Sequence, residues 1–382
     1  MSALTARVRS RSDLRSERVA ALLGIALGVT FATCFATGLY SHLLQDPPSW
    51  FTPPARPAGL YRITQGVHVA TGIASIPLLL AKLWSVFPKL FAWPPFTSVT
   101  HAIERISLVP LVGGALFQLF SGLANVNLWY PWPFNFRTAH YWVAWITIGA
   151  LVVHIGAKWA TTRAALTRRN AGMRARTEPT NRARVLDRRG FLVTVFGASA
   201  LLTVFMVGQT VRPLSRLALL APRRPDVGPQ GFPVNRTAAA ARVLTSARDP
   251  GYRLVVEGNV RRALRLALDE LDGLPQRETT LPISCVDGWS ASPRWKGIPV
   301  HVLLDMAGAG DEATVTVHSL QRRRSYRTSE LDVAQARDPD TLLALRVGGE
   351  RLHIDHGYPL RLIGPNRPGV LQTKWVTRLV VH

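Results

Sequence analysis

Five apolar runs occupy the first 211 residues, at 19–39, 63–81, 106–124, 138–157 and 191–211, each 19 to 21 residues long without Lys, Arg, Asp or Glu. At about 1.5 Å per residue, a helix of that length crosses about 30 Å of hydrocarbon. The pattern predicts five membrane-spanning helices. After the fifth run comes a stretch rich in Pro and Arg (Pro213, Pro222, Pro225, Pro229), which reads as a linker. Beyond it the chain reads as a soluble α+β domain. The expected organisation is a helix bundle over 1–165, a basic loop over 166–190, a fifth helix serving as anchor over 191–212, a linker over 213–230 and the α+β domain over 231–382. No internal repeat is evident.

Charge orients this arrangement. The formal net charge is +23 and the pI about 11.4, which invites a nucleic-acid reading. A nucleic-acid surface would gather its basic residues on a soluble face with readable motifs. Here ten Lys and Arg lie between Lys158 and Arg189, and Arg7, Arg9, Arg11, Arg15 and Arg18 precede the first run. That is the positive-inside distribution, so no nucleic-acid partner is expected. Lys82 and Lys89 at the inner end of the second run agree. The loops after the first and third runs carry Trp50, Phe51, Trp129, Tyr130 and Trp132, as interfacial belts do. The expected localisation is a bacterial cell membrane, with the N-terminus cytoplasmic and the C-terminal domain outside. Asp187-Arg-Arg-Gly-Phe-Leu192, directly before the fifth run, resembles a twin-arginine export signal. That route carries cargo that is already folded. The alternative is an ordinary helix with snorkelling arginines.

The chain has two cysteines. Cys34 lies within the first apolar run and Cys285 in Leu281-Pro-Ile-Ser-Cys-Val-Asp-Gly-Trp289, so a disulfide between them is not expected. A lone thiol outside the cytoplasm is either a small buried hydrophobe or a thiolate ligand to a soft metal. The surrounding segments bear on that choice: Tyr252-Arg-Leu-Val-Val-Glu-Gly258, Leu268-Asp-Glu-Leu-Asp-Gly-Leu-Pro275, the run from Trp295 to Gly308, His356-Gly-Tyr-Pro-Leu-Arg-Leu-Ile363 and Lys374-Trp375. In order and spacing they resemble the molybdopterin-binding domain of the sulfite oxidase family. The likeness is nearest to the branch holding the periplasmic methionine-sulfoxide reductase catalytic subunit. It implies that Cys285 is the catalytic ligand to molybdenum and that Asn235, Ser319, His356, Arg361 and Lys374 bind the pterin cofactor. Arginine and lysine suit a dianionic phosphate, one as a bidentate fork and the other as a point charge. The chain departs from that branch at His356, where Asn is usual, and no Tyr-Glu pair follows Asn235.

Four histidines add a second candidate chemistry, since ionisable groups in a bilayer are functional suspects. His68 lies in the outer half of the second run, and His140 and His154 at the outer and inner ends of the fourth. His101 precedes the third run on the inner side. His140 and His154 are separated by about 21 Å of helix rise and within about 40° of one face. This spacing and helix count resemble di-haem b-type membrane cytochromes. They imply an outer haem between His68 and His140 and an inner one between His101 and His154. The alternative is hydrogen bonding to neighbouring helices or a place among headgroups. The expected function is a membrane-bound molybdenum oxidoreductase that reduces a small or protein-bound S- or N-oxide outside the cytoplasm, exchanging electrons through haem b with a membrane quinone or another membrane carrier. Sulfite oxidation with reversed electron flow, or a metal-free electron-transfer or binding protein, are the alternatives.

Overall fold

A computed structural model describes residues 14–91, 93, 97–167, 187–207, 211–322 and 326–382. Most of the basic loop that carries the orientation argument, 168–186, lies outside the described residues, as do Arg7, Arg9 and Arg11. The contacts divide the chain into two compact units. One comprises 1–37, 67–208 and 217–220, and the other comprises 38–66, 209–216 and 221–382.

Five helices among the described residues are long and apolar enough to cross a membrane: α1 (Glu17–Gln45), α2 (Leu60–Leu90), α3 (Val99–Val126), α4 (Phe136–Thr167) and α5 (Arg188–Val207). The first four extend past the apolar runs because capping and ion pairing carry a helix where hydropathy does not. Ser98 caps α3 by accepting from the His101 backbone N–H at 3.1 Å. His101, Glu104 and Arg105 therefore fall inside the helix rather than ahead of it. Glu104 meets Lys158 of α4 at 2.5 Å, so a charge pair at the end of the α3–α4 seam replaces two isolated charges. The fifth helix is described over Arg188–Val207, and residues 208–210 of its apolar run lie outside the described residues. Leu23, Leu27, Leu78, Leu79, Ala115 and Val195 pack inside this unit, while Leu80, Val109, Trp142, Val152 and Val193 remain exposed. Helices apolar on both faces suit a lipid surround.

The second unit is α+β. A five-stranded sheet has the order β2 (Leu264–Ala267), β1 (Arg253–Gly258), β12 (Val376–Val381), β7 (Val315–Ser319), β8 (Thr328–Leu331). The β1–β12 pair is parallel and the others antiparallel. A second sheet runs β10 (Glu350–Arg351), β9 (Leu342–Val347), β6 (Arg294–Pro299), β3 (Arg277–Thr280), with β11 (Arg361–Ile363) also pairing β9. The alternation Leu254, Val256 on β1 and Val315, Val317 on β7 points one face of the first sheet into a core. The helix α9 (Val300–Ala307) buries Val300, Leu303, Leu304 and Ala307 there, numbered after α6 (Ala238–Ala241), α7 (Leu244–Ala247) and α8 (Leu268–Gly273). A small hairpin of β4 (Ile283–Ser284) and β5 (Ser290–Ala291) completes the strands that matter to the site.

Residues 38–66, expected to belong with the helix bundle, group instead with the α+β unit. Polar anchors account for this. The buried Asn366 accepts from the Tyr61 N–H at 2.8 Å and donates through Nδ2 to the Pro54 carbonyl at 2.6 Å and the Tyr40 hydroxyl at 3.1 Å. Its own backbone N–H reaches the Ala58 carbonyl at 3.0 Å. Arg56 forks onto Asp338, both bonds 2.9 Å, and meets Asp340 at 2.6 Å. A buried Asn with its side-chain groups committed to one segment makes loss of that segment costly, about 1–3 kcal/mol per group left unpaired.

Candidate metal and cofactor site

Cys285 directly follows β4 and opens a tight turn to β5. Its N–H donates to the Trp289 carbonyl at 3.0 Å, and its carbonyl accepts from the Gly288 N–H at 3.1 Å. Gly288 sits at φ 98°, a conformation open to glycine without a Cβ penalty. Cys285 stands just beyond the strand, so its side chain is set by the turn rather than by the strand's pleat.

Asn235 faces the sulfur. Its Oδ1 accepts from Trp289 Nε1 at 3.1 Å and from Arg223 at 2.8 Å, which leaves Nδ2 to donate to Cys285 Sγ. An amide N–H on sulfur favours the thiolate. Burial works the other way and, with the carboxylate of Asp287, pushes the Cys285 thiol well above its ordinary value. A cation bound at the sulfur would reverse that balance, because a coordinated thiol is deprotonated. Asp287 itself is buried, its carboxyl raised by that burial, with Arg223 at 3.8 Å.

Arg361, Lys374 and His356 bring basic groups to the cavity. Arg361 on β11 is buried, donates to the His356 carbonyl at 3.2 Å and lies 5.5 Å from the centre of the Trp295 ring. Its Nε has no hydrogen-bond partner among the described residues, and burial lowers its pKa to about 9. Lys374 bridges to Arg361 through the backbone and donates its ammonium to the carbonyls of Arg236 and Asp355, each at 2.7 Å. Burial first, then Arg361, holds Lys374 well below its usual value. His356 stacks on Phe232 at 3.7 Å and donates from Nε2 to the Pro229 carbonyl at 2.6 Å. Burial takes its pKa to about 3, against the raising effect of that bond, with Arg361 and Lys374 adding to the fall. It is a neutral donor.

Asn235, Cys285, His356, Arg361 and Lys374 thus come from distant parts of the chain to line one open cavity of about 150 Å³. Ser319 does not join the lining. Its hydroxyl donates to the Lys374 carbonyl at 2.7 Å and accepts from the Gln321 N–H at 3.1 Å, so it supports the lysine from behind. Arg236, Trp289, Gln321, Tyr326, Gln372 and Thr373 also line the cavity and had no sequence signal beyond their polarity. Gly369 could have been noticed: a Cβ there would meet the Ser284 carbonyl at 2.8 Å, so only glycine lets that wall approach the cysteine hairpin.

In the helical unit His68 and His140 come together, ring centres 6.3 Å apart and planes at 72°. His68 Nδ1 donates to the Cys34 carbonyl at 2.8 Å, and His140 Nδ1 pairs with the Ser121 hydroxyl at 3.0 Å. Cys34 Sγ also donates to the His68 carbonyl at 3.4 Å, so it is more than a filler. His101 has Thr97 on Nδ1 at 3.0 Å and Arg105 on Nε2 at 3.4 Å, which leaves neither nitrogen free. His154 Nδ1 is buried without a hydrogen-bond partner among the described residues.

Comparison with known proteins bears on the domain that holds the cavity. Residues 241–382 match the family described as "Oxidoreductase molybdopterin binding domain". A candidate protein-methionine-sulfoxide reductase subunit, YedZ1, of Azospira oryzae is 35% identical over 130 residues, covering 34% of this chain and 48% of that protein. The protein-methionine-sulfoxide reductase catalytic subunit MsrP of Gluconobacter oxydans is 33% identical over 143 residues, covering 34% and 46%. Mitochondrial sulfite oxidase of Drosophila melanogaster is 30% identical over 155 residues, covering 34% and 27%. The chain spans about half or less of the length of these relatives. Its C-terminal part is an oxidoreductase domain of the molybdopterin-binding type, preceded by a helical region with five apolar candidate spans.

Proposed function

We propose that the chain is a membrane-bound molybdenum oxidoreductase that transfers an oxygen atom, in the direction of reducing an S- or N-oxide, with electrons exchanged through haem b and membrane quinone. The observation that carries the reading is a lone buried thiol in a cavity with Arg361 and Lys374, whose hydrogen bonds go to carbonyls. Buried cations so held suit an anionic ligand. Arg361, with its unused Nε, and Lys374 would hold the cofactor's phosphate, His356 and Asn235 would donate hydrogen bonds, and Cys285 would ligate the metal. The bound cofactor supplies two-electron oxygen-atom transfer. The reaction balances as R₂SO plus two electrons and two protons giving R₂S and water. The polypeptide's share is to fix the sulfur, neutralise the anion and keep the cavity shaped.

For haem, the two Nδ1 atoms are held by the polypeptide, which leaves Nε2 of His68 and of His140 for iron. With their ring centres 6.3 Å apart, the two histidines would hold the same iron, and the haem would supply one-electron transfer. His154 with a buried bare nitrogen remains a candidate for a second haem, with His101 as its partner if the Thr97 and Arg105 bonds give way. The names of the relatives carry two substrate directions, sulfoxide reduction and sulfite oxidation. Purified full-length protein is expected to contain molybdenum and a b-type spectrum. A methionine sulfoxide should reoxidise the dithionite-reduced haem, and sulfite should leave oxidised haem unchanged. Haem reduction by sulfite would reverse the direction, and protein without either cofactor would favour the metal-free alternative.

The orientation is part of the same reading: N-terminus cytoplasmic, catalytic domain outside, α5 an uncleaved anchor behind a twin-arginine-like start. A reporter active only outside the cytoplasm should work when fused after His382 and fail when fused after Arg176. The opposite pattern removes the positive-inside argument and the export argument together.

A further inference from the structure

The segment 38–66 does more than tie onto the α+β unit, because one of its side chains reaches the cysteine turn. Gln65, in the second turn of α2, is 5% exposed and donates from Nε2 to the carbonyl of Val286 at 3.2 Å. Val286 is the residue directly after Cys285, inside the turn closed by the bonds from Cys285 to Trp289 and from Gly288 to Cys285. Gln65 Oε1 is buried without a hydrogen-bond partner among the described residues. A buried amide that leaves its acceptor unmatched is costly, so its donor must be what the position requires. Ahead of it the segment is fixed. Ala58 packs against the cluster that holds Cys285 and Trp289, and Arg62 donates to Ser292, just past β5, at 3.1 Å.

We propose that Gln65 is a positioning residue for Cys285: the segment before and at the start of α2 is a working part of the catalytic domain, and its amide holds the Cys285 turn with the sulfur facing the cavity. The ligating role of Cys285 comes from the function proposed above. The holding of the turn does not depend on that role and is testable without the metal. The consequence is that residues 221–382 alone lack one of the hydrogen bonds that hold the Cys285 turn.

The full chain is produced in a host unable to make the pterin, and iodoacetamide labelling of the Cys285 peptide is followed by mass spectrometry. Gln65→Met removes the donor at similar length, and Gln65→Leu removes it with a shorter apolar side chain. Both should label Cys285 about 10-fold faster than wild type, the factor that corresponds to about 1.4 kcal/mol, the upper range for one lost hydrogen bond. In cofactor-loaded protein the same variants should alter the Mo(V) paramagnetic signal and lower kcat with KM nearly unchanged. Labelling within twofold of wild type in either folded variant overturns the proposal. So does loss of the folded domain in both, which would make Gln65 a packing residue only. Wild-type protein that never takes up molybdenum would instead remove the proposed function and leave the labelling comparison to decide the role of Gln65.

Discussion

Cys285→Ala is expected to abolish oxygen-atom transfer while leaving haem absorbance unchanged. Removing an outer-shell partner of a metal costs about 10–100-fold, and a direct thiolate ligand should cost more. The cavity's other contacts do not pass through the sulfur. Arg361, Lys374 and His356 are fixed by carbonyls, by Trp295 and by Phe232, so much of the pterin should stay bound. The Mo(V) signal should then change because the sulfur is gone, not because the cofactor is lost. Asn235→Ala keeps the ligand but removes its hydrogen bond, and should fall in the 10–100-fold range of outer-shell partners. Full activity with an unaltered signal in Cys285→Ala would return the residue to a buried structural thiol.

Much of this architecture is legible in the amino-acid sequence. The helices are readable because an uninterrupted apolar run of that length has few other uses. Their ends are not, because Ser98 and the Glu104–Lys158 pair extend helix through charged sequence. Cys285 stands out by being alone, and Asn235, His356, Arg361 and Lys374 by a resemblance in which order and spacing carry the information. The structure brings those five together and puts Ser319 one layer back. The segment 38–66 is hidden for a different reason. Arg56 and Asn366 look like ordinary loop residues, and their partners lie about 300 positions away in the chain. Periodicity reports which face of an element is buried and says nothing of such pairings. Gln65 is doubly obscure, a polar residue within an apolar run where a lipid-facing or helix-bridging reading is simpler.

The second large effect belongs to the helical unit. His140→Ala and His68→Ala should each remove the same part of the b-type spectrum, and the double variant should remove no more than either one. Two ligands of one iron are not additive, since losing either opens the site. The hydrogen bonds support the assignment independently of spacing. A carbonyl only accepts, so Cys34 O holds the proton on His68 Nδ1 and leaves Nε2 with its lone pair. Ser121 can hold its own proton towards the Gln118 carbonyl at 3.4 Å while accepting from His140 Nδ1, which fixes the same tautomer there. Ser121→Ala should therefore shift the haem potential with little loss of haem, because the bond tunes the ligand without making it. His101→Ala should change the spectrum least, since Thr97 and Arg105 already engage both its nitrogens. Molybdenum content should be unchanged in every one of these variants. A spectrum left whole after alanine at both His68 and His140 would return the pair to helix-to-helix hydrogen bonding.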